Sequence, residues 1–194
     1  MKNFEYNNKF YKVSFHEALE RGIYSAINLG LEHTPLESYY LVLGAGDLFK
    51  EIKGSLTISI NKIILLPYKL SSSKKNKYLS NLRNFYTGMP YCHNAIIYIN
   101  DGSQYNKNYK ISSDYDHFLK YVRRQKLNRK IIVNSYQENI LIDFESSIGI
   151  SSKSLFLKNF ENMIIIYRDS GNTKLFLYIW HNLKKVFNLF WKKL

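Results

Sequence analysis

The chain has 194 residues, enough for one sizeable core and short for two, and the 45% that are hydrophobic are spread along its length, which excludes general disorder. Against 15 acidic residues stand 28 lysines and arginines, a net charge of +13 that self-repels and points to an anionic partner, nucleic acid or an anionic membrane. The single cysteine, Cys92, excludes an internal disulfide, and without a Cys-x-x-Cys or His-x-x-x-His spacing the sequence offers no metal site.

Residues 1–13 read as an N-terminal extension without the apolar core of a secretory signal, and Glu5 argues against an Arg-rich, acid-poor transit peptide. Ser14 and Glu17 have capping-box spacing, and Phe15, Leu19, Ile23 and Ile27 repeat every four residues, so the spacing predicts a helix over Phe15 to Leu29. Pro35 marks a loop, Tyr39 to Leu43 a short strand, and the β-branched run "GSLTISINKIILLPYKL" strand material. "SSSKKNKYLSNLRNFYTGMP" reads as a second helix stopped by Gly88 and Pro90. Asn94 to Asn100 is a compact apolar run with the pattern of a strand covered on both faces. "SSDYDHFLKYVRRQKL" is a helix with Phe118, Leu119 and Val122 inward and Arg123 and Arg124 at its C-terminal end, where cations suit the dipole.

From there the expected order is strand "RKIIVNS", helix "YQENILIDFESSIG", strand "SKSLFL", strand "NMIIIY" and a terminal helix from Asn172. Strand and helix alternate, which in one domain, 1–194, implies a mainly parallel sheet with helices on both faces. The terminal helix places Phe176, Ile179, Trp180, Leu183, Phe187 and Phe190 on one apolar face, with Lys184, Lys185, Lys192 and Lys193 outside it. A helix lying on a membrane has this pattern and so does one covering a sheet; the latter is adopted because the preceding strand needs a cover. Apolar runs of about five residues, against the roughly 20 of a spanning helix, argue against a membrane protein.

Candidate chemistry is sparse. Gly44-Ala45-Gly46 after a strand resembles a dinucleotide-binding turn, but Phe49 stands where the third glycine belongs and no Asp or Glu occurs from Lys62 to Leu82. His16, His33, His93, His117 and His181 are scattered singly, Asp114 and Asp116 read as capping charge, and Asp143 and Glu145 read as an exposed helix face. The expectation is a protein that is not an enzyme and has no cofactor.

The cations are better organised. Lys74, Lys75 and Lys77 precede one predicted helix, and Lys107, Lys110, Arg123, Arg124, Lys126, Arg129 and Lys130 bracket another, at loops and element ends that phosphates can approach. Tyr105 and Tyr109 lie among these lysines, where exposed rings would stack on unpaired bases. As a set they point to RNA. A rim of solvated lysines over tyrosine rings has the same local pattern at any single position.

Three phrases resemble the small-subunit ribosomal protein two family, the universal S-two proteins. In "ESSIGISSKSLFL", Ile148, Gly149 and Ile150 match and Ser151 replaces a usual proline; in "NMIIIYRDSGNTKLFLYI", Tyr167, Gly171 and Asn172 match; in "NLGLEHTPLESYYLVLGAGDLFKEI", Gly30, His33, Tyr40 and Gly44 are kept. The resemblance implies a three-layer flavodoxin-like domain without a cofactor, in which Gly171 and Asn172 turn the last strand into the last helix. Its partners would be small-subunit ribosomal RNA and neighbouring ribosomal proteins, in translation, and not a second copy of itself. The family's charged helical hairpin is missing or reduced, because only about 30 residues separate Asn100 from Lys130. Abundant Asn, Lys, Ile, Tyr and Phe beside four alanines and three prolines suggest an A/T-rich gene, hence a mitochondrially encoded matrix protein or one from the cytoplasm of an A/T-rich bacterium. The alternatives are a nucleotide-using α/β enzyme gripping phosphate at Gly44 to Asp47, and a peripheral membrane subunit of an organellar complex.

Overall fold

The computed structural model describes residues 4–7, 12–16, 19–44, 47–51, 63–70, 76–77, 84–133, 140–144 and 154–191. Within them the chain forms β1 (Phe4–Asn7), β2 (Lys12–Phe15), α1 (Ile23–Glu32), β3 (Tyr39–Tyr40), β4 (Leu48–Glu51), β5 (Ile63–Leu65), β6 (Tyr68–Leu70), β7 (Asn76–Lys77) and a 3-10 turn (His93–Ala95). There follow β8 (Ile96–Ile99), α2 (Ser113–Arg124), α3 (Arg129–Val133), β9 (Ile140–Phe144) and the terminal helix α4 (Leu155–Trp191).

The strands make three small sheets ordered β1-β2, β3-β8-β5 and β4-β9-β6-β7. The first two are antiparallel throughout, and the third has one parallel pair, β6 with β9. The mainly parallel, flavodoxin-like sheet expected from the sequence is therefore not the architecture. The alternation that predicted it fails at its second half. Arg129–Val133 is a short helix, opened by Asn128, whose side-chain oxygen accepts from the Ile131 amide at 3.0 Å. Ile140–Phe144, read as helix, is a strand whose Ile-Leu-Ile-Asp-Phe pattern alternates with period two and buries Ile142 completely. Asp143 thus lies on a strand, while Glu145 lies outside the described residues.

Of the two strands expected before Gly171, "NMIIIY" is helical, and so are Leu155 to Leu157 of "SKSLFL", whose Ser152 and Lys153 lie outside the described residues. "NMIIIY" is β-branched, but burial selects Glu161, Asn162, Ile165 and Ile166 and leaves Ile164 exposed, the i, i+1, i+4, i+5 rhythm of a helix face. Tertiary packing overrides β-propensity here. Gly171 then breaks the helix with φ 72 and ψ −168, backbone geometry that glycine adopts without a Cβ clash. Gly171 thus parts two helical segments, and Tyr178 of the second reaches Asn159 of the first at 2.8 Å, so at Gly171 and Asn172 the chain folds back from helix to helix, where a strand-to-helix turn was expected. At the N-terminal end Phe15 pairs with Phe4 in a hairpin, and α1 starts only after Gly22, whose φ of 129 is not helical. The helix predicted over residues 71–90 is absent from its described part: Asn76–Lys77 is a strand and residues 84–90 form turns.

The core is built around α2. Eight of its twelve residues are buried, so this helix is packed nearly all round. On one side lie fully buried Ile63, Leu65, Leu66 and Ile96 and the ring of Tyr98, which meets Tyr121 edge-on at 5.0 Å. On the other side lies the first half of α4, joined by Asp116, which accepts from Lys120 at 2.7 Å and also binds Arg168. At the end where the chain enters α2, Tyr24 and Asn28 of α1 hydrogen-bond the backbone of Ile111 and Tyr105.

Candidate nucleic-acid interface

The end of α2 is shaped by a complete C-terminal cap. The Leu127 amide donates to the Val122 carbonyl at 2.9 Å and the Lys126 amide to that of Arg123 at 3.1 Å, the paired bonds of a Schellman motif. Its left-handed position, commonly glycine, holds Lys126 at φ 53. Asn128 then caps α3, so the chain folds back in four residues and presents Arg123, Arg124, Lys126 and Lys130, all exposed, on one corner. Two of these four are anchored. Arg123 pairs with Asp169 of α4 at 2.7 Å, and Arg124 stands 3.8 Å from Asp101. Burial pushes the Asp101 carboxyl up, but hydrogen bonds from Ser103 and Gln125 and the charge of Arg124 outweigh it and hold the group below its ordinary range. Lys126 and Lys130 have no ion-pair partner among the described residues.

Lys107 and Lys110 lie at the other end of α2, about 18 Å away along a twelve-residue helix. Lys107 pairs with Glu20, holding that carboxyl below its usual value through the hydrogen bond and then the ammonium charge. Lys110 is exposed at its side chain and tied at its backbone. The ten predicted cations therefore do not make one patch. Lys74 and Lys75 lie outside the described residues, and for Lys77, on β7, and Arg129, opening α3, the backbone position alone is described.

Tyr105 and Tyr109 are a correction. They are 2% and 7% exposed, so neither is a stacking platform for bases. Tyr109 lies under the Arg168 guanidinium, 5.7 Å from its ring centroid. Tyr105 stacks on His117 with centroids 4.1 Å apart and hydrogen-bonds His93 at 3.1 Å through its hydroxyl. Asn28 of α1 fixes its backbone in a two-way bond: the Asn28 side-chain amide donates to the Tyr105 carbonyl at 2.9 Å and accepts from its amide at 2.7 Å.

This places a cluster of tyrosines and histidines in the core. Tyr40 and His117 Nε2 share a hydrogen bond of 2.8 Å. Burial, with a smaller contribution from His93, pushes the His117 imidazole down to about 3, and burial also lowers His93. Both rings are neutral at pH 7. Burial pushes the neighbouring Cys92 thiol up to about 12, which keeps it protonated and weakly nucleophilic. The Tyr98 hydroxyl and His93 Nδ1 are buried without a hydrogen bond among the described residues.

The Gly44 turn is occupied from within. Asp47 accepts from the Gly44 amide at 2.6 Å and from the Asn94 side chain, so a carboxylate stands where a phosphate would be gripped. A shallow cleft of about 170 Å³ lies between α1 and the Asn100–Gln104 loop, below the roughly 300 Å³ at which small-molecule sites begin. Among the described residues no group of three or more His, Cys, Asp or Glu side chains converges as a metal site.

Two buried residues that the sequence reading passed over organise the loops around the site. Glu161, 5% exposed, accepts from three consecutive amides, Lys110 at 2.8 Å, Ile111 at 3.0 Å and Ser112 at 2.8 Å, and so plugs the N-terminal end of α2 from α4. Asn100 donates to the Thr34 carbonyl at 2.7 Å and accepts from the Gly102 amide at 3.1 Å, tying the end of α1 to the loop after β8. Compared with family models, curated proteins and solved structures, the chain finds no significant match.

Proposed function

We propose that the protein is a non-catalytic, RNA-binding component of the small ribosomal subunit, in a mitochondrion or an A/T-rich bacterium. The observation that carries the reading is the α2–α3 corner: Arg123 and Arg124 are held in place by Asp169 and Asp101, while Lys126 and Lys130 stand exposed without a counter-charge among the described residues. Exposed cations without a counter-charge suit phosphate groups, and the +13 charge of the whole chain favours the same partner. The burial of His117 against the Tyr105 ring and a Gly44 amide already bonded to Asp47 support a structural over a catalytic role. The particle is named by the S-two-like phrases alone, since the described residues do not form the sheet that family implies. Sedimentation of lysate through a sucrose gradient at low and moderate salt tests the reading. Co-migration with small-subunit RNA at both salts is expected, and migration at the top of the gradient or with membranes would overturn it.

A further inference from the structure

Beyond Gly171, α4 rests on the body by one side. Tyr178 is 3% exposed and its hydroxyl donates to Asn159 at 2.8 Å, Leu175 packs against the core, and the Lys174 ammonium lies 5.1 Å from the centroid of the Tyr86 ring. The opposite side faces solvent: Phe176, Trp180, Leu183 and Phe187 are 66%, 61%, 58% and 64% exposed. The sheet cover expected of this helix is thus not its role at these four positions. Their spacing of four, three and four is the a/d seam of a helix that packs against another helix, with Tyr178 at the f position away from it.

The exposed side chains of this half helix, Leu177 and Ile179 included, amount to roughly 600 Å², at the upper end of the largest patch of an ordinary monomer and near the ~800 Å² each partner contributes to a stable interface. Charge narrows the partner. From Ser170 to Leu194 there is no acidic residue and there are five lysines, Lys174, Lys184, Lys185, Lys192 and Lys193. A second copy would bring like charge together along the seam, with Lys184 in a flanking e position. No helix among the described residues is long and apolar enough to cross a membrane.

We propose that residues 172–191 dock an acidic amphipathic helix of a partner protein, its apolar stripe on Phe176, Trp180 and Leu183 and its carboxylates toward Lys184 at the edge of the seam. This does not rest on the RNA reading, which is tested at Lys126 and Lys130. The test titrates the full chain with a designed heptad peptide carrying Leu at a and d and Glu at e and g, with its Lys-flanked twin, and with phosphatidylglycerol vesicles, following tryptophan fluorescence. The acidic peptide is expected to bind in the roughly 1–100 μM range, and Phe176→Ala or Leu183→Glu, exposed changes that leave circular dichroism intact and keep Trp180 as the reporter, to weaken it roughly tenfold or more. No binding of the acidic peptide, equal binding of the two peptides, binding of vesicles in preference to peptide, or dimerisation of the chain alone by sedimentation would each overturn the proposal.

Discussion

Glu161 gives the sharpest test of the packing. Replacing it with alanine removes the acceptor of three amides, two of which, on Ile111 and Ser112, make buried hydrogen bonds. Each buried donor left unmade costs about 1–3 kcal/mol, while the half-buried Lys110 amide is rehydrated at lower cost. Relief from burying a charge offsets part of the loss, which leaves roughly 3 kcal/mol of destabilisation. Glutamine keeps one oxygen in place and turns an amide donor toward the remaining N–H groups, so about half that loss is expected. Urea denaturation followed by circular dichroism measures both; with a slope near 2 kcal/mol per molar the alanine midpoint falls by roughly 1.5 M. Thr173→Ala, at an exposed helical position, serves as the control. A Glu161→Ala midpoint indistinguishable from the control would refute the role given to this carboxylate.

Three further outcomes follow from the same geometry. Tyr98→Phe removes a buried hydroxyl that has no hydrogen bond among the described residues, so it raises stability by about 1 kcal/mol, and a loss of that size in urea denaturation would show that the hydroxyl has a partner. Lys126→Gly relieves the left-handed strain at φ 53, partly offset by a more flexible unfolded chain, and is expected to add about 0.5–1 kcal/mol in thermal melts, where Lys126→Ala adds nothing. His117 has a folded-state value near 3, below its ordinary 6.5, so the unfolded chain binds the proton first as pH falls. The contribution is intact at pH 7 and is lost at up to roughly 1.4 kcal/mol per pH unit between about 6.5 and 3. Urea midpoints from pH 7 to 4 therefore fall less steeply for His117→Phe than for the wild type, and parallel slopes would contradict the assignment.

What was legible in the sequence was local. Phe118, Leu119 and Val122 of α2 point inward, and Ile96–Ile99 of the apolar run ending at Asn100 is a strand, because each is a compact apolar group that the core buries. The rest depended on distant partners. Ile164 to Ile166 look like strand until Glu161, Asn162, Ile165 and Ile166 are seen to share one buried face, and once they are assigned to a strand Glu161 reads as a polar end with no task. Ile140, Ile142 and Phe144 alternate like a strand, but flanking Gln137, Glu138 and Glu145 imitate the solvent face of a helix. Tyr105 and Tyr109 looked exposed because they sit among lysines; their burial is set by His117 on the following helix and by Asn28 and Arg168, far away in sequence. Arg123, Arg124, Lys126 and Lys130 are neighbours in the sequence and share the α2–α3 corner, whereas the carboxylates that meet two of them, Asp101 and Asp169, come from elsewhere in the chain.

The reading as an RNA-binding component stands or falls on the exposed lysines of that corner. The direct measurement is the affinity of the purified chain for small-subunit ribosomal RNA across a salt series, beside the double variant Lys126→Ala, Lys130→Ala. If both lysines neutralise phosphates, affinity falls and the log–log salt dependence loses about 1.5 in slope, roughly 0.7–0.9 per contact. A double variant with the wild-type slope and affinity would show that the corner does not meet RNA, and would contradict the account.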